Sequence, residues 1–382
     1  MQVQQVAADE FCEIRPFNDA EIGAVLKRFT ANSCLMRGIR KEVYAGWPPP
    51  FAPVLDLLVS RHFRRRCNSV RTVDEFQRKI TVDIILEWIV KNTMDTLSFS
   101  GLENLDKTQS YLFISNHRDI VLDSALLNYL LAKNGFPIFA IAFGENLTAN
   151  ALVSDLIRAN KSFLVKRNLA FRQRIQAAYQ LSRYIWFLHG QRESVWIAQR
   201  EGRAKDGDDR TSPSLIKMLY LSQRKGGLTF KEFIKELHIV PVAVSYERDP
   251  CDILKAMEMQ EKADNPDYRK KPEDDIRSIY LGLRGDKGRV HFALGQPLRD
   301  QFEDERNVAE AIDRTIHRAY KLWPSNYAAY DALMGSNEYD SAYSSADRER
   351  FLNRFCKEAP ELRRRVLGMY AKPVMNKRAL VG

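Results

Sequence analysis

The stretch Tyr111-Leu112-Phe113-Ile114-Ser115-Asn116-His117-Arg118-Asp119 ends an apolar run in a histidine and a carboxylate, and Ile120–Leu131 is then apolar almost all round. A short apolar run followed by a long apolar helical pattern predicts a strand that leads into a buried helix. His117 then lies at the carboxyl end of a strand, where α/β sheets usually present their reactive groups. This stretch therefore predicts an α/β fold with a functional group at the turn.

Two aspartates, Asp119 and Asp123, follow His117 closely. A carboxylate bonded to one ring nitrogen fixes the tautomer and leaves the other nitrogen to take a proton. In a regular helix Asp123 lies about 240° around the axis from His117, so it reaches the ring only if the helix begins irregularly. Asp119 is the alternative partner, or it caps the helix. We favour Asp123 and retain Asp119; the other interpretation is a helix cap with no catalytic histidine.

Apolar β-rich runs alternate with helical patterns downstream. The predicted strands are residues 97–102, 110–115, 137–143, 162–166, 194–199 and 238–246, with helices between them at 120–133, 149–159, 170–188 and 212–236. A further predicted pair of strands, Ile276–Arg284 and Arg289–Gly295, flanks a hairpin turn at 285–288. We expect an α/β fold with a central, mostly parallel sheet that is flanked by helices on both faces.

Helical patterns also precede and follow this region. Asn18-Asp19 predicts a helix start, and Trp47-Pro48-Pro49-Pro50 predicts a break in the chain. We therefore predict an N-terminal helical region (1–95), a central domain (96–300) and a C-terminal helical extension packed on that domain (301–382).

The 382-residue chain has 59 Lys and Arg against 49 Asp and Glu, a net charge of +10, which favours anionic partners. Basic clusters lie at 61–66 and 363–365. Because no nucleic-acid reader motif or aromatic platform accompanies them, we expect peripheral contact with an anionic membrane and no nucleic acid.

The cysteines are scattered and form no Cys-x-x-Cys pair, so the sequence suggests neither a disulfide framework nor a zinc site. The first residues lack the pattern of a signal peptide, and no stretch approaches the roughly 18 apolar residues of a spanning helix. We therefore expect a cytoplasmic protein that associates peripherally with the inner face of the membrane.

Three further blocks follow Asn116-His117 in order. They are Ser162-Phe163-Leu164-Val165-Lys166-Arg167, Trp196-Ile197-Ala198-Gln199-Arg200-Glu201-Gly202-Arg203-Ala204-Lys205-Asp206-Gly207 and Ile239-Val240-Pro241-Val242-Ala243-Val244-Ser245-Tyr246. In order and spacing, the four blocks resemble the motifs of the glycerolipid acyltransferases, which acylate glycerol 3-phosphate or 1-acylglycerol 3-phosphate. The resemblance spans roughly residues 97–300. Phe143–Leu147 is more similar to the branch that acylates glycerol 3-phosphate.

The resemblance implies direct transfer of an acyl group from an acyl-CoA or acyl-carrier-protein thioester to a glycerol hydroxyl. It needs no metal and no cofactor besides the thioester co-substrate. His117 is then the general base, an aspartate orients it, and backbone amides stabilise the oxyanion. The substrate-binding candidates are the cations Lys166, Arg167, Arg203 and Lys205, which suit a phosphate group, and the turn Glu201-Gly202.

The sequence departs from the family pattern in three places. Five residues instead of four separate His117 from Asp123, block two lacks its glycine, and block three is one residue short between Gly202 and Arg203. Two alternatives therefore stay open. The chain acylates another lipid acceptor, or it is a catalytically silent homologue that binds lipid or acyl carrier protein.

Overall fold

The computed structural model describes residues 10–33, 35–38, 52–145, 150–167, 169–224 and 226–380, and the predicted break at Trp47–Pro50 lies outside them. The chain forms two compact units. Unit 1 comprises Met1–Trp88 and Ala140–Arg167, and unit 2 comprises Ile89–Phe139 and Asn168–Gly382. The boundaries at 95 and 300 stay a prediction.

Unit 2 contains five described strands: β1 (Thr96–Ser100), β2 (Leu112–Ser115), β5 (Val195–Ala198), β6 (Ile239–Tyr246) and β7 (Arg289–Leu294). Their order is β1-β7-β6-β2-β5. β2 lies between two parallel neighbours, with Ser115 opposite Ala198 on β5 and Val242 on β6. β1 and β7 are also parallel, whereas β6 and β7 are antiparallel. The carboxyl ends of β2, β5 and β6 therefore lie at the same edge.

The helices of unit 2 connect these strands and follow them. They are α5 (Leu122–Lys133), α7 (Phe171–Gly190), α8 (Pro213–Tyr220), α9 (Phe230–Glu236), α10 (Asp252–Asp264), α11 (Pro272–Arg284), α12 (Glu305–Ala319), α13 (Pro324–Met334), α14 (Ser345–Asn353) and α15 (Pro360–Arg378). β2 and β6 are buried on both faces, as their almost wholly apolar sequences predict. The α/β class with a mostly parallel sheet is therefore confirmed.

Unit 1 combines helices with one strand pair. Its elements are α1 (Asp19–Ala31), α2 (Ala52–Asn68), α3 (Val73–Phe76), a π-helix (Gln77–Leu86), α6 (Ala151–Ala159), β3 (Ala140–Gly144) and β4 (Ser162–Val165); α4 (Glu87–Thr93) continues the chain from the π-helix into unit 2. β3 and β4 are parallel. Asn18 caps α1 through the backbone N–H of Glu21, as predicted. Among the described helices, none has the length and apolarity needed to cross a membrane.

Two predictions of secondary structure were wrong. Residues 276–284 are not a strand but the end of α11, whose first turn carries Glu273, Asp274 and Asp275. Acidic side chains in the first turn interact favourably with the positive end of the helix dipole. This stabilisation of a helix outweighs the strand preference of the apolar residues that follow. The helix expected at 212–236 is two helices, α8 and α9, with the second starting at the capping residue Thr229.

Candidate active site

His117 and Asp123 form a direct hydrogen-bonded pair at the carboxyl end of β2. The Nδ1 atom of His117 lies 2.8 Å from Oδ2 of Asp123. The same oxygen accepts hydrogen bonds from the backbone N–H groups of Arg118, at 2.6 Å, and Asp119, at 2.9 Å. The hydroxyl of Tyr246 donates to the other carboxylate oxygen at 3.1 Å. Because Oδ2 already accepts from two backbone N–H groups, it acts as a carboxylate oxygen, and a ring nitrogen that bonds to it must donate; this assigns the His117 proton to Nδ1.

An irregular start to α5 makes this pairing possible. The helix begins only at Leu122, and Asp119 Oδ1 accepts from the backbone N–H groups of Val121, at 2.9 Å, and Leu122, at 2.8 Å. The extra residue between His117 and Asp123 is accommodated in this capped turn. Asp119 therefore closes the turn that leads into α5, while Asp123 contacts the ring.

Asp119 belongs to the electrostatic surroundings of the pair. Its side chain is buried, and burial together with the charge of Asp123 raises the pKa of Asp119. A Cβ atom on Gly282 of α11 would lie 2.1 Å from its Oδ2 atom. Only glycine at position 282 therefore leaves room for the Asp119 carboxyl group.

Asn116 and Arg118 hold the turn in place from either side of His117. The Asn116 amide donates to the carbonyl of Val244 at 3.0 Å and accepts from its N–H at 2.7 Å, which fastens the end of β2 to β6. Both residues also donate to Oδ2 of Asp209, at 3.1 Å from Asn116 and 2.5 Å from Arg118. Burial alone lowers the pKa of Arg118, but the charge of Asp209 reverses the effect and raises it.

Neighbouring strands supply the walls around the ring. Trp196 on β5 meets His117 edge-on, with ring centroids 5.8 Å apart, and its indole N–H donates to the Ser115 hydroxyl at 3.1 Å. The His117 ring remains partly open, with 15% of its side chain exposed, whereas Asp123 is fully buried. The imidazole ring is thus partly accessible, while the carboxylate that holds it is not.

The third sequence block lies directly beside this pair. The backbone N–H of Ala204 donates to the His117 carbonyl at 2.9 Å. Gly202 has a φ of +76°, in the left-handed region that favours glycine, which agrees with the predicted turn. Glu201 is exposed on that turn, and its role as a substrate ligand stays a prediction.

Arg203 faces a cleft that α10 and α11 line. The basic residues of the cleft outnumber the acidic ones: Arg203, Lys255, Lys270, Lys271 and Arg277 against Glu258, Glu261 and Asp274. The Nη1 atom of Arg203 is buried and has no hydrogen-bond partner among the described residues. An unsatisfied buried guanidinium nitrogen is costly, so this position suits an anionic ligand.

Lys255 connects the cleft to the turn that carries His117. Its buried ammonium group donates to the Arg118 carbonyl at 2.6 Å and pairs with Asp249. Burial raises the pKa of Asp249, but the Lys255 charge and hydrogen bond outweigh it and lower that pKa overall. The wall of the cleft is thus bonded to the residue that follows His117.

Lys205, a predicted phosphate ligand, forms an ion pair with a carboxylate of the cleft. It pairs with Glu258, which also contacts Lys262 at 2.9 Å. Burial lowers the pKa of Lys205 to about 8. Burial alone raises the pKa of Glu258, but the hydrogen bonds of Lys205 and Lys262 hold it at about 2. The two groups are therefore both charged near pH 7.

Lys166 and Arg167 belong to unit 1. Lys166 forms an ion pair with Glu13, and the backbone N–H of Arg167 donates to Glu145 at 2.8 Å. Their predicted contact with substrate stays a prediction. Of the Phe143–Leu147 segment, Asn146 and Leu147 lie outside the described residues.

Sequence reasoning gave no role to several residues that build the site. Asp209, Tyr246, Lys255 and Asp249 were not selected, and Asn116 and Arg118 were only part of a quoted motif. Tyr246 could have been found, since it ends the fourth block at the same sheet edge as His117. Asp209 stood in a polar loop that resembles ordinary solvated surface.

Comparison with known proteins found matches to the part of the chain that contains His117 and Arg203. Residues 96–245 match the model of a family described as Acyltransferase. A glycerol-3-phosphate acyltransferase of Pseudomonas putida is 22% identical over 225 residues, which cover 57% of this chain and 25% of that protein. One of Pseudomonas paraeruginosa is 22% identical over 248 residues, covering 63% and 28%. The match thus spans about a quarter of these relatives' length.

A solved structure was also found to be similar. It is the 1-acyl-sn-glycerophosphate acyltransferase PlsC from Thermotoga maritima, at 13% identity and a TM-score of 0.37, with 78% of this chain and 92% of that chain covered.

Proposed function

We propose that this chain, whose residues 96–245 match the acyltransferase family model, transfers a fatty acyl group from a thioester to a hydroxyl of a glycerol-phosphate acceptor. The observation that carries the proposal is the His117–Asp123 pair, in which Nδ1 is occupied by the carboxylate and the ring is partly open. The names of the relatives support glycerol 3-phosphate as the acceptor.

In the proposed reaction, Nε2 of His117 takes the proton of the acceptor hydroxyl as its oxygen attacks the thioester carbonyl. The tetrahedral intermediate then collapses, the C–S bond breaks, and the imidazolium returns the proton to the leaving thiolate. An ester and a free thiol are the products. Asp123 stabilises the imidazolium and prevents the ring from rotating, because three other donors fix the position of its carboxylate.

Recognition of the acceptor phosphate is proposed for the cleft beside Arg203. Its partnerless guanidinium nitrogen can donate to a phosphate oxygen, and the neighbouring Lys270 and Arg277 add positive charge. Arg203 directly precedes Ala204, which bonds to the His117 carbonyl. A phosphate there therefore lies next to the residue that deprotonates the hydroxyl.

The donor is proposed to be acyl-CoA or acyl carrier protein, and no additional cofactor is required since a thioester is already activated. The silent-homologue alternative rested on the extra residue between His117 and Asp123. The capped turn at Asp119, which lets Asp123 reach the ring, speaks for catalysis instead.

Thiol release from a long-chain acyl thioester tests the proposal. The purified protein is assayed with acyl-CoA and with acyl carrier protein as donors, and with glycerol 3-phosphate, 1-acylglycerol 3-phosphate or glycerol as the acceptor. We expect release that depends on a phosphorylated acceptor and a matching ester product by mass spectrometry. Equal, slow release with and without every acceptor would contradict the proposal.

A further inference from the structure

Helix α7 exposes large apolar side chains at one end. Phe171 is 72% exposed, Ile175 51% and Tyr179 45%. The opposite end of the helix packs in the core through Leu181 and Ile185, among others. The exposed triad is therefore held on a helix that the core anchors, and we refer to Phe171, Ile175 and Tyr179 as the α7 apolar face.

The three side chains share one side of the helix. At 100° per residue, Phe171, Ile175 and Tyr179 lie within an arc of about 80°. Arg174 lies about 60° before that arc and Arg172 about 20° beyond it, so an arginine flanks each border. Both arginines are exposed. The arrangement is an apolar stripe between two basic edges.

The charged residues of α7 are all basic. Its 20 residues include Arg172, Arg174 and Arg183 but no aspartate or glutamate. Helix α11 offers a contrast, since its exposed Ile276 and Tyr280 follow a first turn with three acidic residues. Apolar side chains bordered by arginines, without acidic neighbours on the helix, match the boundary between acyl chains and anionic head groups.

We propose that the α7 apolar face binds the surface of bilayers that contain anionic glycerophospholipids. Phe171, Ile175 and Tyr179 enter the boundary of the acyl chains, while Arg172 and Arg174 contact lipid phosphates. The helix lies in the plane of the surface and does not span it. This inference rests on the proposed function and deepens it. The proposed acylated product partitions into a bilayer, so the enzyme that makes it needs a lipid surface.

The layout favours a bilayer over an acidic carrier protein. A small acidic partner is best met by arginines at the centre of the contact, where charge pairs are desolvated. Here the centre is apolar and the arginines form its borders. The carrier protein is therefore an alternative outcome of the test.

Co-sedimentation with vesicles tests the proposal. The full chain is compared on phosphatidylcholine vesicles and on vesicles that also contain phosphatidylglycerol. One variant combines Phe171→Ser with Ile175→Ser, and a second combines Arg172→Gln with Arg174→Gln. The control combines Ile276→Ser with Tyr280→Ser, an equally exposed aliphatic and aromatic pair four residues apart on α11. Circular dichroism confirms that each variant is folded.

We expect the wild type and the control to bind the anionic vesicles alike. Each arginine near an anionic surface strengthens binding about fivefold, so the arginine variant should bind about 25-fold more weakly and lose its preference for phosphatidylglycerol. The apolar variant should lose about tenfold or more on both vesicle types. Retained vesicle binding by both α7 variants would overturn the proposal.

Loss of binding to acyl carrier protein with vesicle binding unchanged would overturn it as well and assign the face to the carrier. Vesicle binding is measured without turnover, so its outcome is independent of acyl transfer. If the α7 variants lose binding while the wild type shows no transfer, only the proposed function fails.

Discussion

Asp123 bonds to the turn that carries His117, and Arg203 precedes the residue that bonds to the His117 carbonyl, yet the surroundings of the two side chains differ. Asp123 is fully buried, and four donors surround its two oxygens. Arg203 has a buried guanidinium nitrogen with no hydrogen-bond partner in the described part of the chain. The first group is complete within the protein, as a group that orients a base must be. The second is incomplete, as expected of a group that waits for a ligand.

The largest expected effect comes from a substitution of Asp123, whose hydrogen bonds are all made within the protein. Asp123→Asn can present an N–H to the ring and so favours the tautomer with the proton on Nε2. The kcat for acyl transfer should then fall about 10³-fold, within the usual range for general-base catalysis. Steady-state thiol release measures it, with the exposed Asp300→Asn as the matched control. A loss of less than about tenfold would remove Asp123 from the catalytic pair.

Asp209→Asn tests the scaffold behind the pair. It leaves the Arg118 guanidinium buried without its counter-charge, so the free energy of unfolding should fall by about 3–5 kcal/mol. Urea denaturation of the variant and of Asp300→Asn measures the difference. Equal stability of the two variants would show that Arg118 finds another partner.

The ion pair on the rim of the cleft predicts a pH dependence. The pKa of Glu258 is about 2 in the folded chain, against an ordinary value of 4.5. A lowered carboxyl pKa stabilises the fold above pH 4.5, and this contribution is lost as the pH falls from about 4.5 towards 2. The loss should amount to at most about 3 kcal/mol.

Thermal denaturation between pH 2.5 and 6 measures this loss. In Glu258→Gln the midpoint temperature should fall less steeply as the pH is lowered, because the carboxyl group that titrates is absent. Superimposable slopes for the wild type and the variant would contradict the assigned role of the pair.

Arg203→Gln tests the guanidinium group that has a nitrogen without a hydrogen-bond partner among the described residues. The KM for glycerol 3-phosphate should rise about tenfold, the worth of about one charge-assisted hydrogen bond, while folding stability stays the same or increases. Arg299→Gln, an exposed site outside the cleft, is the control. A destabilised Arg203→Gln with an unchanged KM would make Arg203 a structural residue.

Local patterns in the sequence predicted much of the fold. The apolar runs predicted every described strand to within three residues. The signal is strongest for β2 and β6, because strands buried on both faces are almost wholly apolar. Asn116-His117 and the ordered blocks pointed to the turn in which His117 and Asp123 are hydrogen-bonded. The failures have local causes too: the apolar residues of Ile276–Arg284 suggest a strand, although an acidic helix start precedes them.

The rest of the site depends on contacts between residues distant in sequence. Asp209 meets Arg118 from 91 positions away, and Lys255 reaches the Arg118 carbonyl across 137 positions. Neither spacing leaves a periodic signal. The pairing of His117 with Asp123 was also open, since it depends on where α5 begins, and helix starts are set by caps such as Asp119.

The central claim is that His117 is the base of a thioester-dependent acyl transfer. Its most direct test is acceptor-dependent thiol release by His117→Ala beside His62→Ala, an exposed histidine on α2. We predict that His117→Ala loses about 10³-fold or more of the wild-type rate while His62→Ala retains it. Unchanged turnover by a folded His117→Ala protein would contradict the account.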